Sequence, residues 1–447
     1  MTSSTAVNLP ITTSTSSESE IFNNSIKGTK ILLKNLGPIK KAKIELSDFV
    51  VVIGPNASGK TFLMLATDSI LSATSQFFSF SFVHVIHSSL LQVLKEDNPK
   101  GGFPINIDMS KESAILRNKV ATRVKKQLIE EPVQKQLQGF MQSQLLKYFS
   151  VPPQQLISFG SDHCEIKVEF QGLVINAVIS HSGSPLDVKM DMSDKLTSIF
   201  VSSFTAQYIN GQGAGSYRMA FNPFNLNSVL IPAERISVLA TLPEILDNIA
   251  RQTGYQYMYP QIVPNQSTST KPTIVEFLSK YMSAIDNVYH ARRTVSSVAA
   301  DLLGGKPVFE GNLPSALMLN QGGNLVPQKL MASGQAQLLP LLISIEGGFE
   351  QFVLIEEPEV NLHANKHVEV ADYLWQVNKL VLVTSHSDYL VMRLAHLWAK
   401  NKKFKELSVF FLNKGITRKL SVKSNGEIEE IETIANAINK LLLDVQT

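Results

Sequence analysis

A glycine-rich segment directly after an apolar run constrains this chain more than any other feature. Residues 53–61 read Ile-Gly-Pro-Asn-Ala-Ser-Gly-Lys-Thr and follow the valines at 50–52. They match the pattern G-x-x-x-x-G-K-[ST], in which a buried strand leads into a loop whose amides surround a polyphosphate. Residues 62–66 are compatible with a helix, and a helix N-terminus favours anions. The sequence therefore predicts a strand, a phosphate-binding loop and a helix in that order.

Each position of this loop has an expected role in nucleotide binding. Lys60 is expected to reach the β- and γ-phosphates, and the Thr61 hydroxyl is expected to ligate Mg²⁺. The loop that would cradle the phosphates comprises Gly54, Pro55, Asn56, Ala57, Ser58 and Gly59. The alternative is a glycine turn with a chance lysine, which the flanking strand and helix patterns disfavour. ATP and Mg²⁺ are therefore the expected cofactors.

The composition gives no global reason to expect a polyanionic partner. The chain has 447 residues, 44% of them hydrophobic, and a formal net charge of +3 at pH 7. That length suits two or three lobes, or one large α/β domain with insertions. Any nucleic-acid surface would have to be local. The single cysteine, Cys164, excludes an intrachain disulfide and fits a reducing cytosol, so a cytoplasmic location is expected.

Two segments bear on targeting and on membranes. Residues 1–28 form a Ser/Thr-rich tail without the basic and apolar blocks of a secretory signal, and we expect this tail to be disordered. The most apolar window, 77–94, is long enough for a membrane span. His84, His87 and Ser88 interrupt it. A core helix that continues from the phosphate loop is the favoured interpretation, and no membrane association is expected.

Paired acids at the end of a predicted strand complete the expected nucleotide site. The apolar run 352–355 ends in Glu356-Glu357-Pro358-Glu359. In Mg-nucleotide hydrolysis one carboxylate orients the water shell of the metal, and the next polarises the attacking water. Adjacent acids at a strand end are often only solvated, but together with the phosphate loop they become specific. We therefore assign Glu356 to the metal and Glu357 to catalysis.

Apolar patterns predict the remaining elements. The continuous runs 352–355 and 380–383 are typical of parallel strands buried on both faces. Alternation over 164–180 predicts a hairpin around residues 171–172. Pro132 breaks the helical composition of 111–149, so a long coiled-coil arm is not expected. Further strands are predicted at 30–33, 42–46, 50–53, 229–235, 407–412 and 419–422, and a helix at 338–343.

Three further segments carry a resemblance to a known family. Residues 331–335 read Met-Ala-Ser-Gly-Gln, residues 359–363 read Glu-Val-Asn-Leu-His, and residues 384–387 read Thr-Ser-His-Ser. With the phosphate loop and the paired acids, they resemble the signature motif, the D-loop and the histidine switch of ABC-type ATPases. They are most similar to the soluble SMC/RecF/OLD-like branch, in which Glu-Glu-Pro-Glu commonly replaces the Asp-Glu of transporters. The resemblance covers 29–66 and 329–431.

The resemblance implies a composite ATP site. In this family two heads stack head-to-tail, and each nucleotide contacts the phosphate loop of one subunit and the signature loop of the other. The signature loop here is Ser333, Gly334 and Gln335. ATP binding would hold the dimer together, and hydrolysis would release it. A homodimer or a higher homo-oligomer is therefore expected.

The same resemblance suggests roles for two more residues. His386 would sense the γ-phosphate and act in catalysis; the alternative is a core histidine that ends a strand. Asn35 would approach the adenine, with a turn role beside residues 37–38 as the alternative. Two positions depart from the family pattern: Ala332 stands where the signature serine is expected, with Ser333 beside it, and Glu356 is one methylene longer than the usual aspartate.

The implied fold is α/β: an ABC-type P-loop NTPase head with a mixed sheet flanked by helices. A large α+β insertion would separate the phosphate loop from the signature motif. We expect an N-terminal lobe of the head over 29–110, an inserted helical and β-hairpin region over 111–325, and a C-terminal lobe over 326–447. That long separation argues against the nucleotide-binding subunit of a transporter.

The leading hypothesis is an ATPase that dimerises on ATP and controls a separate effector protein, in DNA repair or in defence against mobile elements. The alternative is a compact RecF-like DNA-binding clamp in DNA repair. Weak nucleic-acid contacts would fall to the basic pairs 125–126 and 292–293, unless these are solvated helix faces. Tyr255, Tyr257 and Tyr259 could stack bases or pack as one face of a strand. Glu234-Arg235 either line the site or form a surface ion pair.

Overall fold

The structure is a computed structural model that describes residues 26–97, 112–181, 186–209, 227–237, 272–290, 295–309, 317–401 and 405–429. Within these ranges the strands form an 11-stranded sheet and a separate three-stranded sheet. The predictions for the N-terminal tail before residue 26, for Tyr255, Tyr257 and Tyr259, and for Arg292-Arg293 lie outside the described residues.

One half of the large sheet is parallel and carries the apolar runs identified in the sequence. Strand β3, Phe49–Ile53, is buried at every position and pairs in parallel with two strands from the C-terminal part of the chain, β12 and β13. These are Leu380–Ser385 and Leu407–Asn413. Beyond β12 lie β11, Phe352–Glu356, and β7, Ser228–Ile231, both parallel to their neighbours. The predicted parallel arrangement is confirmed.

The other half is antiparallel, and its strands are close together in the sequence. It runs in the order β6-β5-β4-β1-β2. The predicted hairpin is β4–β5, whose turn residues Gln171 and Gly172 both adopt positive φ. Strand β14 joins the two halves, antiparallel to β13 and parallel to β2. The bounds are Lys30–Leu36 for β1, Ile39–Glu45 for β2, His163–Phe170 for β4, Leu173–Ser180 for β5, Leu186–Met192 for β6 and Ile416–Leu420 for β14.

The helix after the phosphate loop continues into the apolar window. Helix α1, Lys60–Gln76, runs through a π-helical stretch, Phe77–Phe82, into α2, Val83–Asp97. The stretch Lys60–Glu96 is, among the described residues, the one helix long and apolar enough to cross a membrane; core helices of soluble proteins pass the same test. Phe77, Phe78 and Phe82 are fully buried, which supports the prediction of a core helix.

Helices cover both faces of the sheet. Successive residues of β3 point to opposite faces: Val50 and Val52 belong to one apolar cluster, and Phe49 and Val51 to another. The first cluster packs with α1 and α2 and with α3, Glu112–Leu128, α4, Glu131–Phe149, and α5, Asp194–Ile209. The second packs with α6, Pro272–His290, α7, Ser297–Leu303, α8, Ser333–Gly347, α9, Ala364–Gln376, and α10, Asp388–Lys400. The predicted mixed sheet flanked by helices is thus confirmed.

Pro132 lies in the first turn of α4 and separates it from α3, as the sequence predicts. A three-stranded sheet, β10-β9-β8, precedes the signature loop. Its strands are Lys306–Phe309 (β8), Leu317–Gln321 (β9) and Asn324–Pro327 (β10). A short 3-10 turn, Gln328–Leu330, then leads to α8.

Candidate functional site

The predicted phosphate loop connects the end of β3 to the start of α1. Ala57 and Gly59 adopt positive φ, at 57° and 104°. A Cβ at Gly54 would lie 2.0 Å from the carbonyl oxygen of Leu412, so only glycine fits there. The loop is thus wrapped tightly between β13 and the β1–β2 turn, which Gly59 approaches through Pro38. This packing fixes where the loop amides point.

Lys60, the first residue of α1, folds back across the loop. Its side chain is buried, and Nζ donates hydrogen bonds to the carbonyl oxygens of Gly54 at 2.9 Å and Pro55 at 3.0 Å. Burial lowers the pKa of the ammonium, although Glu357 and other nearby carboxylates oppose that shift. The ammonium therefore lies inside the loop, where a phosphate oxygen could replace the carbonyls as its partner.

The structure brings together the two residues assigned to the metal. The Thr61 hydroxyl donates a hydrogen bond to Oε1 of Glu356, although the two residues are 295 positions apart. The backbone N–H of Ala233 approaches the other carboxylate oxygen at 3.4 Å. Threonine hydroxyls and carboxylates are oxygen ligands of the type that Mg²⁺ binds in nucleotide sites. If Mg²⁺ binds here, Thr61 would hold it from the phosphate loop and Glu356 from the strand end.

Glu357 and His386 meet at the tips of neighbouring strands. Nε2 of His386 lies 3.0 Å from Oε1 of Glu357, and both side chains are about one-third exposed. Glu357 adopts φ 44°, an unusual conformation for a non-glycine residue, and its N–H donates to the carbonyl of Thr384. The turn therefore directs this carboxylate toward the histidine and the solvent-accessible side of the site.

Glu359 is a site residue to which the sequence reasoning gave no role. Its side chain is buried, and Oε1 accepts hydrogen bonds from the Ser385 hydroxyl at 2.7 Å and from the His386 N–H at 2.8 Å. It therefore fixes the backbone that carries the histidine. The one signal in the sequence was that Glu359, directly after Pro358, is the third acidic residue of the segment 356–359.

Arg235 is a second residue to which the sequence gave no single role, since it predicted either a place in the site or a surface ion pair. Its guanidinium is fully buried, and within the described part of the chain it donates only to backbone carbonyls. The surface ion pair considered from the sequence is therefore wrong for this residue. Burial lowers the pKa of Arg235 to about 10, which leaves the side chain charged at neutral pH. The acceptors are the carbonyls of Gln337, Pro232, Glu356, Glu357 and Pro358.

The predicted signature loop lies at the N-terminus of α8. Ala332 and Ser333 are exposed, and Gln335 is held by hydrogen bonds to the Ala332 N–H and the Leu303 carbonyl. A Cβ at Gly334 would lie 3.2 Å from the Leu362 side chain. Within the described residues, no hydrogen bond or ion pair joins this loop to residues 54–61 of the same chain. The start of the loop, Ala332-Ser333, is thus presented to solvent.

Asn35 lies near the end of β1, just before the turn at residues 37–38. It adopts φ 52°, and its Nδ2 donates to the carbonyl of His163 in β4 at 3.3 Å. The turn that follows packs against the start of α1, because a Cβ at Gly37 would overlap the Phe62 ring. In this structure the Asn35 side chain thus links β1 to β4. A contact between Asn35 and adenine stays a prediction.

Three polar atoms at the site support the fit of a Mg-polyphosphate. Ser58 Oγ, Thr384 Oγ1 and Glu359 Oε2 are buried, and none has a hydrogen-bond partner among the residues that the structure describes. Buried polar groups are rarely left unpaired. They surround the loop and the acidic strand end, where phosphate oxygens and metal-bound waters would satisfy them. Within the described ranges no cluster of three or more metal-binding side chains occurs, so a metal here would need phosphate oxygens or water as further ligands.

Comparison with known proteins assigns the chain to a family. A family model described as an AAA ATPase domain matches residues 28–391, from just before β1 into α10. The chain belongs to the AAA ATPase domain family. The match includes the phosphate loop, the paired acids and His386. The predicted ATPase family is thus confirmed for this AAA ATPase.

This AAA ATPase is also similar to several solved structures. The chain is similar to the SMC head domain from Thermotoga maritima, with 12% identity, 88% of this chain and 98% of that chain covered, and a TM-score of 0.37. For the Smc head domain derived from Pyrococcus furiosus, bound to the C-terminal domain of ScpA, the identity is 13%, the coverage 92% and 98%, and the TM-score 0.39. For the recombination mediator protein RecF-ATPrS the values are 11%, 89% and 100%, and 0.32. No curated protein matches the chain.

Proposed function

We propose that this AAA ATPase binds Mg-ATP at residues 54–61 and hydrolyses it with Glu357. The observation that carries the proposal is the contact between Thr61 and Glu356, which joins two motifs far apart in the sequence. Lys60 lies beside this contact with its ammonium inside the loop. A turn formed by chance would not gather a buried lysine, a hydroxyl and paired acids at the ends of parallel strands.

The residues divide the work of hydrolysis among them. Lys60 and the loop amides bind phosphate oxygens, and Thr61 and Glu356 hold the metal. Bound Mg-ATP supplies the phosphoryl group and the charge of the cation. Glu357 accepts the proton of the attacking water. His386 donates a hydrogen bond to a γ-phosphate oxygen, and Glu359 fixes its backbone.

A head-to-tail homodimer, or a higher homo-oligomer built from it, accounts for the exposed signature loop. Ser333 begins an apolar helix whose N-terminal amides favour an anion, yet among the described residues no hydrogen bond or ion pair joins this loop to the phosphate loop of its own chain. We propose that it completes the site of a second copy. The dimer would control a separate effector protein in the cytoplasm, in DNA repair or in defence against mobile elements.

A DNA-binding clamp receives less support from the described residues. Lys125, one of the basic residues proposed for DNA, forms an ion pair with Asp194 at 2.5 Å. Each phosphate contact contributes roughly −0.9 to the slope of log affinity against log salt. Fluorescence anisotropy with duplex DNA over a salt series measures that slope. Tight binding of DNA without ATP would favour the DNA-binding clamp over an ATPase that controls a separate effector protein.

The test of the proposed function is nucleotide binding by Lys60→Ala. Isothermal titration of Mg-ATP should give binding in the wild-type chain and little or none in the variant, because a phosphate cluster in a buried loop loses its charge partner. Lys423→Ala is the matched control, since Lys423 is an exposed lysine whose partner is Glu427. Wild-type affinity in Lys60→Ala would overturn the assignment of the phosphate loop.

A further inference from the structure

The turn that carries the paired acids is conformationally unusual. Glu357 has φ 44°, in the left-handed region that side chains with a Cβ avoid. Such conformations persist only where the surrounding structure over-determines them. The direction of the Glu357 carboxylate depends on this backbone conformation. Within the turn, the Val360 N–H donates to the Glu357 carbonyl at 3.1 Å, and contacts from outside the turn must add to this bond to hold the conformation.

Arg235 supplies the bonds that hold it. Nη1 donates to the carbonyl of Glu356 at 3.0 Å, and Nη2 donates to the carbonyls of Glu357 at 3.2 Å and Pro358 at 3.0 Å. These are three consecutive carbonyls of the turn. The planar fork of a guanidinium can bind them together, whereas an ammonium is a single point with fewer donors.

The same guanidinium reaches the helix that starts at the signature loop. Its Nε donates to the carbonyl of Gln337 at 3.0 Å, one turn into α8. Arg235 itself follows β7, where Ala233 approaches the carboxylate of Glu356. One side chain thus connects β7, the acidic turn and α8. Because it is fully buried, it has no water with which to exchange these bonds.

We infer that Arg235 is a positioning residue for ATP hydrolysis, which holds the turn at 356–358 so that Glu357 faces the attacking water. The inference rests on the proposed function and deepens it. Arg235 acts through Glu357 and does not touch the nucleotide. Through the Gln337 carbonyl it also fixes the acidic turn relative to α8. A displacement of α8 would therefore displace Glu357, the proposed general base.

The experiment compares Arg235→Gln and Arg235→Lys with the wild type. Misplacing a catalytic group by about 1 Å can cost on the order of a hundredfold in rate. We expect a loss of kcat of about that size in Arg235→Gln and a smaller loss in Arg235→Lys. The dissociation constant for Mg-ATP should stay near the wild-type value in both, because Lys60 and the loop are unchanged.

Tyr148→Phe is the matched control for a purely structural effect. Tyr148 is also buried, and its hydroxyl donates to Asp68 of α1 and not to the acidic turn. This variant should lower the melting temperature and leave kcat unchanged. Hydrogen exchange without nucleotide adds a readout independent of turnover: the amides of Glu357 and Val360 should exchange faster in the Arg235 variants than in Tyr148→Phe.

The outcomes separate this inference from the proposed function. If wild-type kcat and slow exchange persist in Arg235→Gln while Lys60→Ala abolishes ATP binding, the inference is wrong and the proposed function stands. If the Arg235 variants lower the melting temperature but leave kcat and the exchange rates of Glu357 and Val360 as in Tyr148→Phe, Arg235 has a structural role only. If Arg235→Gln does not fold, Arg235→Lys and its exchange rates decide. If the wild-type chain binds no ATP, the proposed function fails. Hydrogen exchange at Glu357 and Val360 then still tests whether Arg235 holds the turn.

Discussion

Oε1 of Glu357 lies 3.0 Å from Nε2 of His386, across the carboxyl ends of two neighbouring parallel strands. The proposed base and the proposed γ-phosphate sensor are thus in direct contact. Glu359 holds the backbone of the histidine, and Arg235 holds the backbone of the glutamate. A change at either residue will displace the other, so single substitutions here must be interpreted as changes to a pair.

Glu357→Gln should keep ATP binding and stop hydrolysis, because an amide cannot accept the proton of the attacking water. A loss of about a hundredfold to ten-thousandfold in kcat is the usual size for a general base. Phosphate release measures turnover, and light scattering should show an ATP-bound dimer that accumulates. Glu356→Gln is the comparison, since it should weaken the response to Mg²⁺. Normal turnover in Glu357→Gln with a dead Glu356→Gln would reverse the two assignments.

The composite site predicts recovery of activity when two inactive chains are mixed. Lys60→Ala removes the phosphate loop, and Ser333→Arg blocks the signature loop. Either variant alone has a defect in both sites of its dimer. A mixed dimer has one intact site, so partial ATPase activity should return. If the two chains are mixed in equal amounts and pair at random, about half of the dimers are heterodimers. Activity of a strictly monomeric preparation would rule out the head-to-tail arrangement, and no recovery in proven heterodimers would rule out independent sites.

Glu276 should give the stability of the chain an acidic limb. Burial raises the pKa of this carboxyl, but Lys280 and Lys147 lower it more, and the net shift is downward. Lys147 Nζ lies 2.7 Å and Lys280 Nζ 3.7 Å from its oxygens. Because the folded pKa lies below the ordinary value near 4.3, the contribution is present above about pH 4.3 and is lost as the pH falls through the folded pKa.

Glu276→Gln tests this contribution by denaturant unfolding between pH 3 and 7. The variant should be less stable than the wild type at neutral pH, by up to about 1 kcal/mol for partly exposed ion pairs. The two chains should converge at the acidic end. Glu427→Gln is the control, because its ion pair with Lys423 is exposed and should matter much less. A difference at Glu276 that does not vary with pH would show a packing effect instead.

The sequence contains what is needed to predict the elements and the phosphate loop. Continuous apolar runs identify β3, β11 and β12 as buried parallel strands, and local spacing places Lys60 at a helix start. The contact between Thr61 and Glu356 follows from a motif rather than from spacing along the chain. Signals of this kind are local, or are shared with a family.

The hydrogen bonds by which Arg235 holds the acidic turn could not be predicted in this way. Its acceptors in α8 and the acidic turn are 102 or more residues away, and they are backbone carbonyls, which every residue possesses. Nothing in the side chains of those segments marks them as its partners. Similarly, Asp68 in α1 accepts hydrogen bonds from Tyr148 and from Ser228 of β7, 160 residues away, through packing that only the folded sheet defines.

The order of the strands has a consequence for how the protein is made. Both neighbours of β3 in the sheet come from residues 380–385 and 407–413, whereas the five strands of the antiparallel half lie within 30–192. On a ribosome the N-terminal part of a chain emerges and folds first. The antiparallel half can thus assemble early, while the strand that carries the phosphate loop waits unpaired for segments synthesised much later. ATP binding consequently requires that synthesis has passed the strands at 380–385 and 407–413, and fragments that stop before residue 380 would have no competent site with which to bind nucleotide or a partner copy.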